Sequence, residues 1–303
     1  MIELRDISKF FGKTQALSHV GFKLEKGEIL GIAGLNGAGK STLISVASGI
    51  IAPDSGTVEH MGFDIKKLRR SKPLSIGYVP QETALFDNLC VLDNLRFWAA
   101  LEKKHRDGEY SGSSAHDRIQ TALIKCSLVE QRRMKISQLS GGMKHRANIA
   151  AALVMDPDVL VMDEPTAGLD VKNRKDILLF IKSLIKAQTE SPQSQSYPQS
   201  VIFTSHQAGD LELICDRIIL LDRGKLVFDG KTSQLSAHFT NYFKNYFNIN
   251  PDFNSFFVNQ LSPILQSGNL RSLNDENNND GTPPLNCETL TVDDILYLLS
   301  FAS

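Results

Sequence analysis

Gly34-Leu35-Asn36-Gly37-Ala38-Gly39-Lys40-Ser41 matches the pattern G-x-x-x-x-G-K-[S/T] at every fixed position. Glycines let such a loop curl until successive N–H groups point at phosphate oxygens. The lysine reaches the β- and γ-phosphates, and the hydroxyl after it binds Mg²⁺. Gly34, Asn36, Gly37, Ala38, Gly39, Lys40, Ser41 and Thr42 are therefore candidates for holding a nucleoside triphosphate. A second run, Val159-Leu160-Val161-Met162-Asp163-Glu164, is apolar until it ends in two acids. This is the pattern of a strand buried in a parallel sheet, where ligands gather at the carboxyl ends of strands. Asp163 then faces the cation held by Ser41, directly or through water. Glu164 takes a proton from, or polarises, the water that attacks the γ-phosphate. Taken singly, the first run could be a glycine-rich turn with a stray lysine, and the second a strand that ends at an acidic turn. Found in one chain, the two favour phosphate chemistry.

A third run, Leu139-Ser140-Gly141-Gly142-Met143, opens an alanine-rich stretch that ends near Leu153. A Ser-Gly-Gly turn at a helix start leaves backbone N–H groups and a hydroxyl free for a second phosphate contact. It resembles the LSGGQ signature of the ATP-binding cassette (ABC) ATPases. Further residues agree with that family in order and spacing. Phe11 stands where an aromatic ring stacks on adenine, although the adjacent Phe10 is a rival and core packing an alternative. Gln81, in Tyr78-Val79-Pro80-Gln81-Glu82, looks like the Q-loop glutamine. Gly168-Leu169-Asp170 looks like the D-loop, although Asp170 could also cap a helix starting near Val171. His206, in Phe203-Thr204-Ser205-His206, looks like the switch histidine.

The resemblance covers about residues 1–230 and implies an α/β fold of the P-loop NTPase, ABC type. That is a RecA-like mixed-sheet core (1–82 and 159–230), an N-terminal antiparallel β part and an inserted helical subdomain (83–158), with 231–303 as a C-terminal extension. It implies ATP and Mg²⁺ as ligands, with Ser41, Gln81 and Asp163 around the metal and Glu164, His206 and Gln81 serving hydrolysis. It also implies a head-to-tail pair. Each site would take Lys40, Ser41, Gln81, Asp163, Glu164 and His206 from one chain, and Ser140 and Gly142 from the other. Gly141 and Asp170 are further candidates for binding the nucleotide. The expected partners are a second cassette subunit, as a homodimer, and a transmembrane permease on a separate chain, with no nucleic acid. The expected location is cytoplasmic, peripheral on the cytoplasmic face of a membrane. Met143 departs from the glutamine of the signature. It resembles the LSGGM form of ABC-2-type exporters, or else marks a weakened site. Two other classes stay open: a soluble cassette ATPase acting on ribosomes or DNA, and a regulatory module that closes on ATP without useful turnover.

The elements that must position these groups can be traced along the chain. Strand signals cover Ile2 to Ile7, Val20 to Leu24, Glu28 to Ala33, Gly56 to Glu59 and Ile76 to Pro80. A helix is expected over Lys40 to Ser48, closed by Gly49, and another over Asn88 to Leu101 with Asp93 in its first turn. Lys103 to His116 looks like a surface loop or a frayed helix, and Thr189 to Ser200 and Gln266 to Pro284 look like polar loops. In the tail, aromatics from Phe239 to Phe257 suggest a packed element or a dimer contact, and Leu290 to Leu299 a short amphipathic helix.

A net charge of −1 gives no electrostatic pull toward nucleic acid. Cys90, Cys126, Cys215 and Cys287 are widely spaced, which favours a reducing compartment over a disulfide framework or a zinc site. The opening residues read directly as a strand, without the basic and apolar pattern of a secretory signal. No apolar run reaches the roughly 18–20 residues of a membrane helix. The basic run Lys66-Lys67-Leu68-Arg69-Arg70 suggests a solvated face, with lipid headgroups as an alternative contact.

Overall fold

The computed structural model describes residues 1–65, 76–103, 114–190 and 198–235, together with His238 and Ile295. The basic run at 66–70, the loop at 266–284, the aromatics of 239–257 and all of the expected tail helix but Ile295 lie outside the described residues. The chain divides into two compact units, Met1–Thr232 and Ser233–Ser303. In the second unit the described residues are Ser233 to Leu235, His238 and the buried Ile295.

The first unit contains two sheets. Strands β1 (Ile2–Phe11), β2 (Thr14–Leu24), β4 (Ser55–His60) and β5 (Phe63–Asp64) form an antiparallel sheet in the order β2-β1-β4-β5. Strand β2 begins earlier than the Val20 expected from alternation. Its buried residues step from Leu17 to Val20, and those of β1 step from Leu4 to Ile7. Steps of three break the two-residue period, because the pairing register shifts here. At that irregularity Asp6 (φ 55°) and His19 (φ 54°) both turn left-handed, and His19 Nδ1 lies 2.6 Å from Asp6 Oδ1.

The second sheet holds β3 (Ile29–Gly34), β6 (Ile76–Val79), β7 (Val159–Met162), β8 (Ser200–Thr204), β9 (Arg217–Asp222) and β10 (Lys225–Lys231). Its order is β10-β9-β3-β8-β7-β6, and every neighbouring pair is parallel except β9 with β10. Every residue of β3, β7 and β8 is buried, which is why these segments read as unbroken apolar runs rather than alternating ones.

Helix α1 (Lys40–Ala47) follows the glycine loop, and Gly49 after it is left-handed (φ 72°), as expected of a helix terminator. Leu43, Ile44 and Val46 of α1 share one core with Ile2, Leu4, Leu17 and Val20 of the antiparallel sheet and Leu30, Ile32 and Val161 of the parallel one. The helix that carries the loop is thus anchored by both sheets. Truncating Leu43 to Ala would cost about 2–5 kcal/mol by the usual cavity penalty.

The helical segment comprises α2 (Val91–Lys103), α3 (Ala115–Lys125) and α4 (Gly141–Leu153). Helix α3 begins at the end of the stretch expected as a surface loop or a frayed helix. Ser114 and Asp117 form a reciprocal capping box there, with Asp117 N donating to Ser114 Oγ at 3.1 Å. Helices α5 (Val171–Glu190) and α6 (Ala208–Ile214) complete the unit. Thr189 lies in α5 and Ser200 in β8, and residues 191–197 of the expected loop lie outside the described residues.

Candidate functional site

Four neighbouring strands, β3, β8, β7 and β6, run parallel, so their carboxyl ends open on one edge of the sheet. The segments leaving those ends carry the glycine loop, His206, the Asp163-Glu164 pair and Gln81. Adjacency in the sheet gathers residues that are far apart in sequence.

The loop needs glycine at particular places. Gly39 caps α1 at φ 102°, and a Cβ there would sit 2.6 Å from Ala16 O. Gly224, in the β9–β10 turn, packs against the same carbonyl, and its N–H donates to Ala38 O at 2.9 Å. The loop is therefore braced from beneath by β2 and by the β9–β10 turn. Lys40 is buried, and its Nζ donates to Gly34 O (2.8 Å) and Leu35 O (3.2 Å). Burial draws its ammonium below the ordinary lysine value, while Glu164 and Asp163 pull in the opposite direction.

Ser41 Oγ donates to Asp163 Oδ1 at 3.3 Å. Thr204 Oγ1, wholly buried at the end of β8, donates to the same oxygen at 2.7 Å and accepts from Glu164 N at 2.9 Å. Glu164 has a left-handed backbone (φ 45°), which costs a non-glycine residue about 1–3 kcal/mol. The bond to Thr204 helps to hold it there. The Glu164 carboxylate is met from two sides at one oxygen, Oε2. Gln81 Nε2 lies at 3.2 Å and His206 Nδ1 at 3.1 Å. With its proton on Nδ1, His206 donates to that oxygen. Asp210 Oδ2 accepts from Thr166 Oγ1 (2.6 Å) and Ser205 Oγ (3.3 Å), tying the turn after Glu164 to the segment that bears His206.

The structure thus joins Lys40, Ser41, Gln81, Asp163, Glu164 and His206 around one strand edge. Asn36, Gly37, Ala38 and Thr42 belong to the same loop and helix start. The signature residues have other neighbours. Ser140 is exposed and caps α4, accepting from Met143 N at 3.3 Å. Gly142 packs on Asn173, where a Cβ would come 3.0 Å from Oδ1. Asn173 N donates to Asp170 Oδ1 at 2.9 Å, so Asp170 does cap α5. Asn173 Nδ2 also donates to Asp170 Oδ2, at 2.5 Å. Its bond with the Asn173 N–H holds the Asp170 carboxyl below its ordinary value. Phe10 and Phe11 are 44% and 51% exposed, so neither is core packing, and Lys9 Nζ stands 5.7 Å from the centre of the Phe11 ring.

Thr204, Gly224, Thr166 and Asp210 support the site and were not singled out from sequence. A lone threonine closing a β-rich run looks like an ordinary strand former. Its position directly before Ser205-His206 was the available signal.

Residues 17–167 match the family model described as ABC transporter. The linearmycin resistance ATP-binding protein LnrL of Bacillus subtilis is 37% identical over 237 residues, covering 78% of this chain and 71% of that one. The Nod factor export ATP-binding protein I of Rhizobium etli is 32% identical, covering 77% and 69%. Among solved structures, the dimeric post-hydrolysis state of the ATP-binding cassette MJ0796 with ADP and Pi superposes with a TM-score of 0.62. It is 26% identical and covers 76% of this chain and 98% of that one. The chain belongs to the ABC transporter family, and its chemistry is ATP hydrolysis.

Proposed function

We propose that this cassette ATPase powers a membrane transporter, of ABC-2-type export, whose spanning permease is a separate chain. It does so as a head-to-tail pair of identical chains. The observation that carries this is the contrast between the linked groups at the strand edge and the exposed Ser140 turn. ATP held by Lys40 and the glycine loop of one chain would meet Ser140 and Gly142 of the other, so the γ-phosphate joins the pair. The relatives' names, resistance in one case and export in another, support the direction of transport, and the dimeric MJ0796 cassette supports pairing.

In the reaction, the oxygen of a water molecule attacks the γ-phosphorus and the bond to the β,γ-bridging oxygen breaks, leaving ADP and phosphate. Glu164 accepts the proton of that water. Gln81 and His206 hold the carboxylate from either side, and His206 also reaches the γ-phosphate. Lys40 would exchange its loop carbonyls for the β- and γ-phosphates. Ser41 Oγ and Asp163 Oδ1 are oxygen donors 3.3 Å apart, a set suited to Mg²⁺, with the Gln81 amide oxygen as a third donor. A Mg²⁺ ion held by these residues would supply positive charge that offsets the charge of the phosphates. Loss of the γ-phosphate then lets the pair open.

Among the described residues, no helix is long and apolar enough to cross a membrane. Phe86 (47% exposed), just before α2, and Phe97 (40% exposed) of α2 meet edge to face, their ring centres 5.0 Å apart. This exposed apolar face suits a permease partner at the cytoplasmic side of a membrane. The test is hydrolysis by the purified chain against its concentration. The rate should rise more steeply than linearly, and Glu164→Gln should lower kcat by about 10²–10⁴ while ATP still binds. Strict proportionality to concentration would contradict the paired site, and a normal rate in Glu164→Gln would contradict its role as base.

A further inference from the structure

Between β6 and α2, residues 80–89 lie outside strands and helices. This stretch carries Gln81, and its backbone is held by two buried asparagines. Asn94 of α2 accepts from Phe86 N at 2.8 Å and donates to Phe86 O (3.2 Å) and Cys90 O (3.1 Å). These bonds are local, within eight residues, and shape the entry to α2 itself. Asn148 acts across the fold. It sits on α4, only 3% exposed, in the middle of the alanine-rich stretch. Its Nδ2 donates to Pro80 O at 3.2 Å and its Oδ1 accepts from Ala84 N at 3.2 Å. One carboxamide thus grips the backbone on both sides of Gln81.

We propose that Asn148 is a positioning residue for hydrolysis that acts through Gln81. This rests on the reading of Gln81 and Glu164 given above. A side chain here must donate and accept at once, which a carboxamide does and a carboxylate or an alkyl group does not. Without it, the Pro80 carbonyl and the Ala84 N–H lose their partner and Gln81 no longer meets Glu164 Oε2 in a fixed place. Asn148 also lies on the helix that Ser140 caps. A shift of that helix as Ser140 engages the other chain's γ-phosphate is therefore carried directly to Gln81, which touches the base of its own chain's site.

The experiment is a double-mutant cycle in the full chain with Asn148→Ala, Gln81→Ala and the pair, reading kcat, ATP dissociation constant and thermal midpoint. Asn148→Ala should lower kcat by about 10–100-fold, the usual penalty for a misplaced group. ATP affinity should stay within about twofold, because the glycine loop and Lys40 are untouched. The double variant should be no slower than Gln81→Ala alone. Asn148→Asp, which keeps the size and the acceptor but lacks the donor, should fall in the same direction and carries the cycle if the alanine variant does not fold. The proposal is overturned if the Asn148 variants turn over normally, or if their loss multiplies that of Gln81→Ala. A normal rate in Gln81→Ala would overturn the site reading as well. A slow Gln81→Ala beside fast Asn148 variants would overturn this inference alone.

Discussion

The strand edge around Lys40 and the turn at Ser140 both look built for phosphate, yet they are finished to different degrees. At the strand edge each group already has partners in its own chain: Lys40 on loop carbonyls, Asp163 between Ser41 and Thr204, Glu164 between Gln81 and His206. Ser140 at the turn and Asp170 at the start of α5 are exposed and cap their own helices. A group tied on several sides can do chemistry at a fixed point, whereas a capped helix start at the surface can only present itself to something else. Under the proposed function, catalysis is organised by the first region and permitted by the second.

The largest expected effect is that of acid on the support beneath α1, the helix that carries the strand-edge loop. His60 of β4 is wholly buried under α1, with Nε2 2.9 Å from Ala47 O, and burial lowers its pKa from 6.5 to about 4. An unfolded chain takes up that proton near pH 6.5 while the folded one resists until about pH 4. The stabilisation is complete above pH 6.5 and lost as pH falls to about 4, an amount of about 3 kcal/mol at about 1.36 kcal/mol per unit. Urea unfolding across this window should show it, and His60→Leu should flatten the slope. An unchanged slope in that variant would remove His60 from the account.

Thr204→Val should come next. It keeps the shape but takes away the hydroxyl shared by Asp163 and Glu164, leaving the half-buried Glu164 N–H without its partner at a cost of about 1–3 kcal/mol. Hydrolysis should slow along with the loss of stability, because the left-handed Glu164 loses its support. Full activity would show that Thr204 merely fills space. The smallest effect should be at the start of α5. Asp170→Ala should lower the melting temperature by about 2–4 °C, the usual worth of one helix cap, and Asp170→Asn should restore it. If Asp170→Asn still abolishes turnover, Asp170 acts beyond capping, as a residue facing the second chain would.

Much of this was legible because strand ends and glycine loops write local signatures. The apolar run ending in Asp163-Glu164, the loop before Lys40 and the helix stop at Gly49 each depend on neighbours in sequence. The supports were less visible because their partners are remote. Asn148 looks like one polar residue in a helix until Pro80 is placed beside it, and Thr204 like any strand former. The register shifts at Asp6 and His19 hid the first half of β2 by breaking its alternation. The cap at Ser114 could have been found from Ser114-Ala115-His116-Asp117, but the surrounding polar residues outweighed it.

The central claim is that each site is completed by another copy of the chain, and mixing two defective chains tests it most directly. Lys40→Ala should lose nucleotide binding and Ser140→Arg should block the turn, so each alone should be nearly inactive. In an equal mixture half of the pairs are mixed, and each mixed pair regains one intact site. Activity should therefore return to about a quarter of the normal rate. No recovery on mixing, or full activity of Ser140→Arg alone, would contradict the shared site.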